Sequence, residues 1–364
     1  MPETRTVITV NGAPLTARQL ELVQSVSVEE SLGSPDKASV TVAMDTDSNS
    51  AWRSSLDALV APATPFSVRV SRGATGYEID ARSVSANWNF APGGLSTLTV
   101  EGMDRSVEMD RRDVQRLWQD TTDSTIAQTL FAQYGLAAQV ESTPAGTDSA
   151  TYSPQQSATD WAFLRGLAGR NGFDLHVESV DGVVTGVFRR INPTAAAQGT
   201  LRLGYGELGG RATASVQLLA GQEVHLTRTI PGTTDTDVAS DPGTGNAMGP
   251  RSLGRATLIR THAAAGISVL DARTTATAMA ERSAFGASLS TTLTAPGMPL
   301  VRARRTITVA GLGPTLDGLW LVKSVRHTIT AGGHSQALGL IRNALGSGPA
   351  GAVGPAALAA AVAL

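Results

Sequence analysis

The chain has 364 residues, 41% of them apolar and 16% charged, with a formal net charge of −2 and no cysteine. That length allows two to three domains with real cores, and the near-neutral charge gives no case for nucleic acid or an anionic membrane surface. Without cysteine there is no disulfide framework, no thiolate metal site and no Cys nucleophile.

The N-terminal "MPETRTVITV" lacks a basic-then-apolar leader pattern, and no apolar run nears the roughly 20 residues of a membrane span. Synthesis in the cytoplasm without membrane insertion is therefore expected. Plentiful Thr, Ser, Val and Gly predict short strands joined by turns. Residues 1–105 read as a mainly β domain. Alternating runs lie at "TRTVITVN", "LVQSVSVEE", "KASVTVAM", "FSVRVS", "YEIDARSVSANWNF" and "LSTLTVEGMD". Residues 50–60, "SAWRSSLDALV", read as an inserted helix, with Trp52, Leu56 and Leu59 on one face.

Residues 106–200 read as an α+β module. Thr122 or Asp123 caps a helix whose stripe is Ile126, Leu130, Phe131 and Tyr134, and Gly135 ends it. A second helix follows, with Ser157 and Asp160 spaced as a capping box. Trp161, Leu164, Leu167 and Ala168 form its apolar face, and Gly172 closes it. A hairpin, "FDLHVES" and "VVTGVFRR", comes next. Residues 201–345 return to β character, with a mobile loop at 231–255 and a helix at 270–284. Residues 346–364 are an Ala/Gly/Pro-rich tail.

Chemical motifs are sparse. His327 and His334 flank one hairpin turn, but no third ligand for zinc can be named. His327 shares a strand face with Val325 and Ile329, which predicts a buried imidazole bonded to a carbonyl. "GYGELG" at 204–209 matches G-x-G-x-x-G, but an alternating strand pattern follows where the dinucleotide fingerprint needs a helix, so it reads as a turn. "SPDK" at 34–37 lacks the partner motifs of S-x-x-K enzymes. The basic clusters, Arg302 to Arg305 among them, read as solvated positions or local ion pairs. No catalytic residue, cofactor or metal site is assigned. Trp161, Phe163 and Phe173 read as core packing, with ligand stacking as the other possibility.

"QQSATDWAFLRGLAGRNGFDLHV" resembles the signature of phage late control protein D and its relatives. Asp160, Trp161, Phe163, Leu164, Leu167, Ala168, Gly172 and Phe173 fit it. The segment from Gly102 to Leu136 resembles the linker and first helix of that family's middle module. The C-terminal block resembles it at Gly297, Pro299, Trp320, Val322, Val325, His327, Gly333 and Arg342. "RAR" at 302–304 departs from the family's usual Pro-Gly turn. The family comprises baseplate hubs of contractile tails and the N-terminal part of type VI secretion spike proteins. The resemblance implies an α+β, mainly β fold, with two tail-tube-like β-barrel domains flanking the middle module. It implies a non-enzymatic homotrimeric adaptor between a hexameric inner tube and a separate trimeric spike protein, in contact with other baseplate components of a phage-tail-like particle. A glycan- or peptidoglycan-binding, or cell-wall-hydrolysing, tail-tip protein is the alternative.

Overall fold

The structure, a computed structural model, describes residues 4–46, 52–54, 56–91, 93–144, 153–180, 182–203, 211–229, 236–241, 246–253, 259–263, 269–294 and 298–347. The GYGELG turn, Gly297, much of the 231–255 loop and the tail from residue 348 lie outside the described residues.

Six strands build the first sheet: β1 (Thr4–Val10), β2 (Val23–Ser31), β3 (Lys37–Thr46), β4 (Pro65–Arg72), β5 (Thr75–Asn89) and β6 (Thr97–Asp104). Their spatial order is β1-β4-β5-β6-β3-β2, each neighbour antiparallel. Alternation sends Val26, Val28, Val40, Val42, Val68, Val70, Leu98 and Val100 to one face, where they pack around Phe66. β-branched residues suit such a half-buried pleated surface. The helix expected over residues 50–60 is not formed. Trp52–Ser54 pairs as a strand with the end of β3, and only Asp57–Val60 turns as a single 3-10 helix. Backbone pairing overrides the helical spacing there, although Leu56 and Leu59 are still buried.

The middle of the chain forms β7 (Asp113–Leu117), α1 (Asp123–Gln133), β8 (Ala137–Val140), β9 (Gln155–Thr159), α2 (Asp160–Asn171), β10 (Phe173–Val180) and β11 (Val183–Arg190). Thr122 caps α1 by accepting from Thr125 N–H at 3.1 Å. Thr159, not Ser157, caps α2, accepting from Ala162 N–H at 3.1 Å. Ser157 lies within β9, paired with β7, so its side chain is not at the helix entry. Both helices share one core with the β10–β11 hairpin. Gly186 is required there, because a Cβ would stand 2.4 Å from the Phe131 ring.

The second sheet contains β12 (Thr200–Arg202), β13 (Ala212–Val216), β17 (Ala287–Leu293), β18 (Thr306–Ala310), β19 (Gly318–Thr330) and β20 (Gly333–Arg342). A small sheet of β14 (Glu223–Thr229), β15 (Thr236–Asp241) and β16 (Ile259–Ala263), with helix α3 (Val269–Ser283), is inserted between β13 and β17. β15 and the two-residue strand Arg251–Ser252 thus replace part of the loop expected at 231–255. Ala272, Ala276 and Ala280 of α3 pack on Val224 and Leu226.

The spatial order of the second sheet is β12-β18-β19-β20-β17-β13. Counted along the chain, both sheets run first, fourth, fifth, sixth, third, second. Both carry a bulge between their fifth and sixth strands, at Ser83/Ser85 and at Val322/Ser324. They differ in the first strand, which is antiparallel to the fourth in one sheet and parallel in the other. Beyond its bulge, β19 continues as Ser324–Thr330 and pairs with Ser25–Ser31 of β2. That pairing makes the two sheets continuous.

Candidate functional site

The residues singled out by sequence fall in three places rather than in one site. Asp160, Trp161, Phe163, Leu164, Leu167, Gly172 and Phe173 belong to the α2–β10 core. Asp160 is buried and accepts from Gln156 Nε2 at 2.6 Å and from the Tyr134 hydroxyl at 2.7 Å. Trp161, Leu164 and Leu167 are buried. Phe163 stacks on Trp118 with centroids 6.5 Å apart, and Phe173 meets Phe188 edge-on at 5.1 Å. Gly172 closes α2 in the left-handed region, with φ 67°. These aromatics pack the helix against its neighbours, with Trp161 buried and Phe163 and Phe173 half-buried at the edge of the core.

Trp320 and Arg342 lie at the base of the second sheet. Trp320 donates to the Leu316 carbonyl at 2.9 Å. Arg342 is fully buried and donates to the carbonyls of Leu316, Asp317, Met248 and Gly346. Burial, with Arg251 nearby, lowers its pKa to about 10. It closes the end of the sheet by satisfying carbonyls in place of an acid.

His327 and Gly333 lie at the seam where β19 meets β2. Gly333, with φ 131°, supports the turn between β19 and β20. His327 Nε2 donates to the Val301 carbonyl at 3.0 Å, as the strand pattern predicts. That fixes its Nδ1 as the acceptor from His334 Nε2 at 3.1 Å. His334 Nδ1 in turn accepts from Thr4 Oγ1 at 3.0 Å, and Arg72 donates to Thr4 Oγ1. Every ring nitrogen of the pair is thus engaged, and both imidazoles are neutral. Burial above all lowers both to about 4, with Arg302 and then Arg72 adding to it at His327, and His327 and then Arg72 at His334.

Between these groups lies a cluster that sequence reasoning missed. Arg302 reaches Glu30 at 2.6 Å, and Ala303 N–H donates to the same carboxylate at 3.1 Å. Arg304 holds Asp36 through two hydrogen bonds of 2.6 and 3.1 Å and donates to the Ser31 carbonyl at 2.7 Å. Its Nε lies 3.4 Å from Asp174 of β10, which also accepts from Gly33 N–H at 3.2 Å. His176 Nδ1 is 2.7 Å from Asp174 Oδ2, off the line of a hydrogen bond. Asp104 completes the set by accepting from the N–H groups of Asp36 and Ser106 at 2.6 and 2.8 Å. Two arginines in the turn that leads into β18 thereby hold acids of β2, of the turn after it and of the middle module. Of the two readings for this basic cluster, solvated positions or ion pairs, Arg302 and Arg304 take the second, and their pairs are buried and long-range in sequence.

Burial raises the carboxylates of this cluster, and the arginines oppose it. Glu30 is held down at about 2 by Arg302, with Arg304 and the Ala303 N–H assisting. Asp36 rises to about 7, because burial, Glu30 and Asp104 outweigh Arg304. Asp104 also rises through burial. A perturbed acid suggests catalysis only where a substrate can reach it. The cavity beside Asp36 and Asp104 is about 10 Å³, room for one water at most. A larger cavity, about 320 Å³, opens between Phe173, Leu253, Phe285 and Ile341. Its carboxylates, Asp174 and Glu281, are engaged by Arg304 and Arg190. The arrangement ties the two sheets and the middle module together.

Residues 3–211 match the family described as the Alg8 N-terminal domain. No curated protein matches the sequence. Among solved structures, the chain is similar to the tail protein from Neisseria meningitidis MC58, with a TM-score of 0.66 at 15% identity over 94% of this chain and 97% of that one. It is also similar to the 43 kDa tail protein of prophage MuSo2 from Shewanella oneidensis, with a TM-score of 0.65 at 14% identity over 94% and 100%. A component of the E. coli type VI secretion system aligns with a TM-score of 0.52 at 12% identity over 94% and 79%. The fold, α+β and mainly β, is therefore that of phage tail proteins, as the sequence resemblance implies.

Proposed function

We propose that this chain, which belongs to the family of the Alg8 N-terminal domain, is a structural baseplate hub of a contractile tail or injection system. The observation that carries this reading is the repeated strand order of the two sheets. One chain then presents two similar tube-like domains, and three chains present six. Such a ring matches a hexameric inner tube on one face and a trimeric spike on the other, which requires surfaces rather than a catalytic group. The buried ion-pair cluster supports the reading, because it holds both sheets and the middle module at one angle. Inner-tube proteins, the spike and other baseplate components are the partners.

Sheathed particles sedimented from the producing strain test this. Immunogold label for this chain is expected at one end of the particle. Sheathed particles that pellet without it, with the chain left in the soluble fraction, would overturn the reading. Cell-wall zymography of the purified chain is expected to be blank.

A further inference from the structure

The cavity of about 320 Å³ lies where several parts of the chain meet. Leu32 comes from the turn after β2, and Phe173 from β10. Phe285 follows α3, and Leu321 and Ile341 belong to β19 and β20. Leu32, Phe173, Phe285 and Ile341 are only half-buried, so the cavity keeps apolar surface open to water. A cavity of this size takes a small ligand or a few side chains of a peptide.

The charges in its wall select among occupants. Asp174, Arg190, Glu281 and Arg282 are its ionisable side chains, and each is matched within the chain. Asp174 faces Arg304 and accepts from Gly33 N–H at 3.2 Å. Arg190 pairs with Glu281 and also donates to the Asn171 carbonyl at 3.2 Å. Arg282 donates to the Ala278 carbonyl at 3.1 Å and to the Gly169 carbonyl at 2.7 Å. The two arginines thus serve carbonyls near the C-terminal ends of α2 and α3, where cations are favoured. Asn343 is likewise satisfied, donating to the Asn246 carbonyl at 2.8 Å and accepting from Met248 N–H at 2.9 Å. An ionic ligand would lose its hydration here and meet no spare counter-charge in the described wall. The wall therefore suits an uncharged, apolar occupant.

The chain carries such a segment next to the cavity. Residues 348–364, "GPAGAVGPAALAAAVAL", contain no charged residue. They follow directly on the wall: Asn343 lines the cavity, and Ala344–Leu345 pairs with Arg251–Ser252, whose Ser252 lines it too. Ser347 is exposed and only a few residues beyond Asn343, hence at most about 14 Å from it. We infer that the segment 348–364 turns back from Ser347 and packs its apolar side chains into this cavity, with Val353 and Leu358 the larger groups nearest the exit. Docked there, the segment ties the second sheet, α3, the middle module and the turn after β2 to one another. Because it is tethered, its effective concentration at the cavity is on the order of millimolar, so a modest intrinsic affinity is enough. The contact lies within one chain and does not depend on the hub reading.

Limited proteolysis of the full chain by an elastase-type protease, which cuts after small residues, tests this. Cleavage within 348–364 is expected to be at least about tenfold slower in the chain than in a free peptide of the same sequence, because cutting follows the open population. Val353→Asp/Leu358→Asp sets carboxylates against an apolar wall and leaves the rest of the chain unchanged. It is expected to remove the protection, measured against its own free peptide. Ala284→Trp and Gln222→Trp each add bulk to the wall and are expected to remove the protection with the segment itself unaltered. Circular dichroism that matches the original chain shows that these two variants fold. Cleavage as fast in the chain as in the free peptide would overturn the docking. Protection that survives Val353→Asp/Leu358→Asp, or that survives a folded wall variant, would overturn this cavity as its site.

Discussion

Arg304 combines φ 63° with a buried ion pair to Asp36. Its backbone region is one that glycine adopts at little cost, and its side chain is what the junction uses. Arg304→Ala is expected to cost about 3–5 kcal/mol in denaturant unfolding, because Asp36 and Asp174 lose their shared cation. Arg304→Gly recovers about 1 kcal/mol of that through relief of the left-handed backbone. The loss shrinks below pH 7, where Asp36 takes up a proton. The His327–His334 pair sets a second pH dependence. Both titrate near 6.5 when unfolded and near 4 when folded. Between those values the unfolded chain binds more protons, so stability present above pH 6.5 is lost as pH falls toward 4. His327 alone accounts for about 3 kcal/mol, and His334, partly exposed, for less. Asp36 acts oppositely, since its raised pKa makes stability fall as pH rises from about 4 to about 7. Melting curves from pH 7 to 4.5 for the chain and for His327→Gln/His334→Gln separate the two effects. The His327 environment was legible from its strand neighbours. The junction was not: Glu30, Asp36, Asp104, Asp174, Arg302 and Arg304 are far apart in sequence, and only the unusual "RAR" marked the place.

Helix α2 shows what an element can reveal in advance. Its apolar spacing, its polar entry and Gly172 all predicted it, and only the cap moved, from Ser157 to Thr159. The segment at 50–60 shows the reverse, where pairing with β3 overrode helical spacing. Trp161 is buried in the α2–β10 core, but its indole N–H has no partner among the described residues. Trp161→Ala is therefore expected to cost about 3–5 kcal/mol and to abolish assembly with it. Trp161→Phe is expected to cost less than about 1.5 kcal/mol, since it keeps most of the packing and removes an unsatisfied donor. Thermal unfolding of both variants checks this. Equal losses would show that the ring face is not what matters at this position.

At the scale of the molecule, two similar β domains were implied by the family resemblance, but no internal repeat of residues showed them. Corresponding residues share an orientation but not an identity, as Trp88 with His327 and Ala214 with Val28 show. The insertion of β14–β16 and α3 into the second sheet also breaks any fixed period. Strand pairing shows the same strand order twice in one chain, and a hub that converts threefold to sixfold symmetry needs that property. The most direct measurement is the copy number and symmetry of this chain in intact particles, by cryo-electron microscopy with quantitative mass spectrometry. Three copies in a ring between the inner tube and the spike are predicted. Six copies, a single copy, or a position away from that junction would contradict the account.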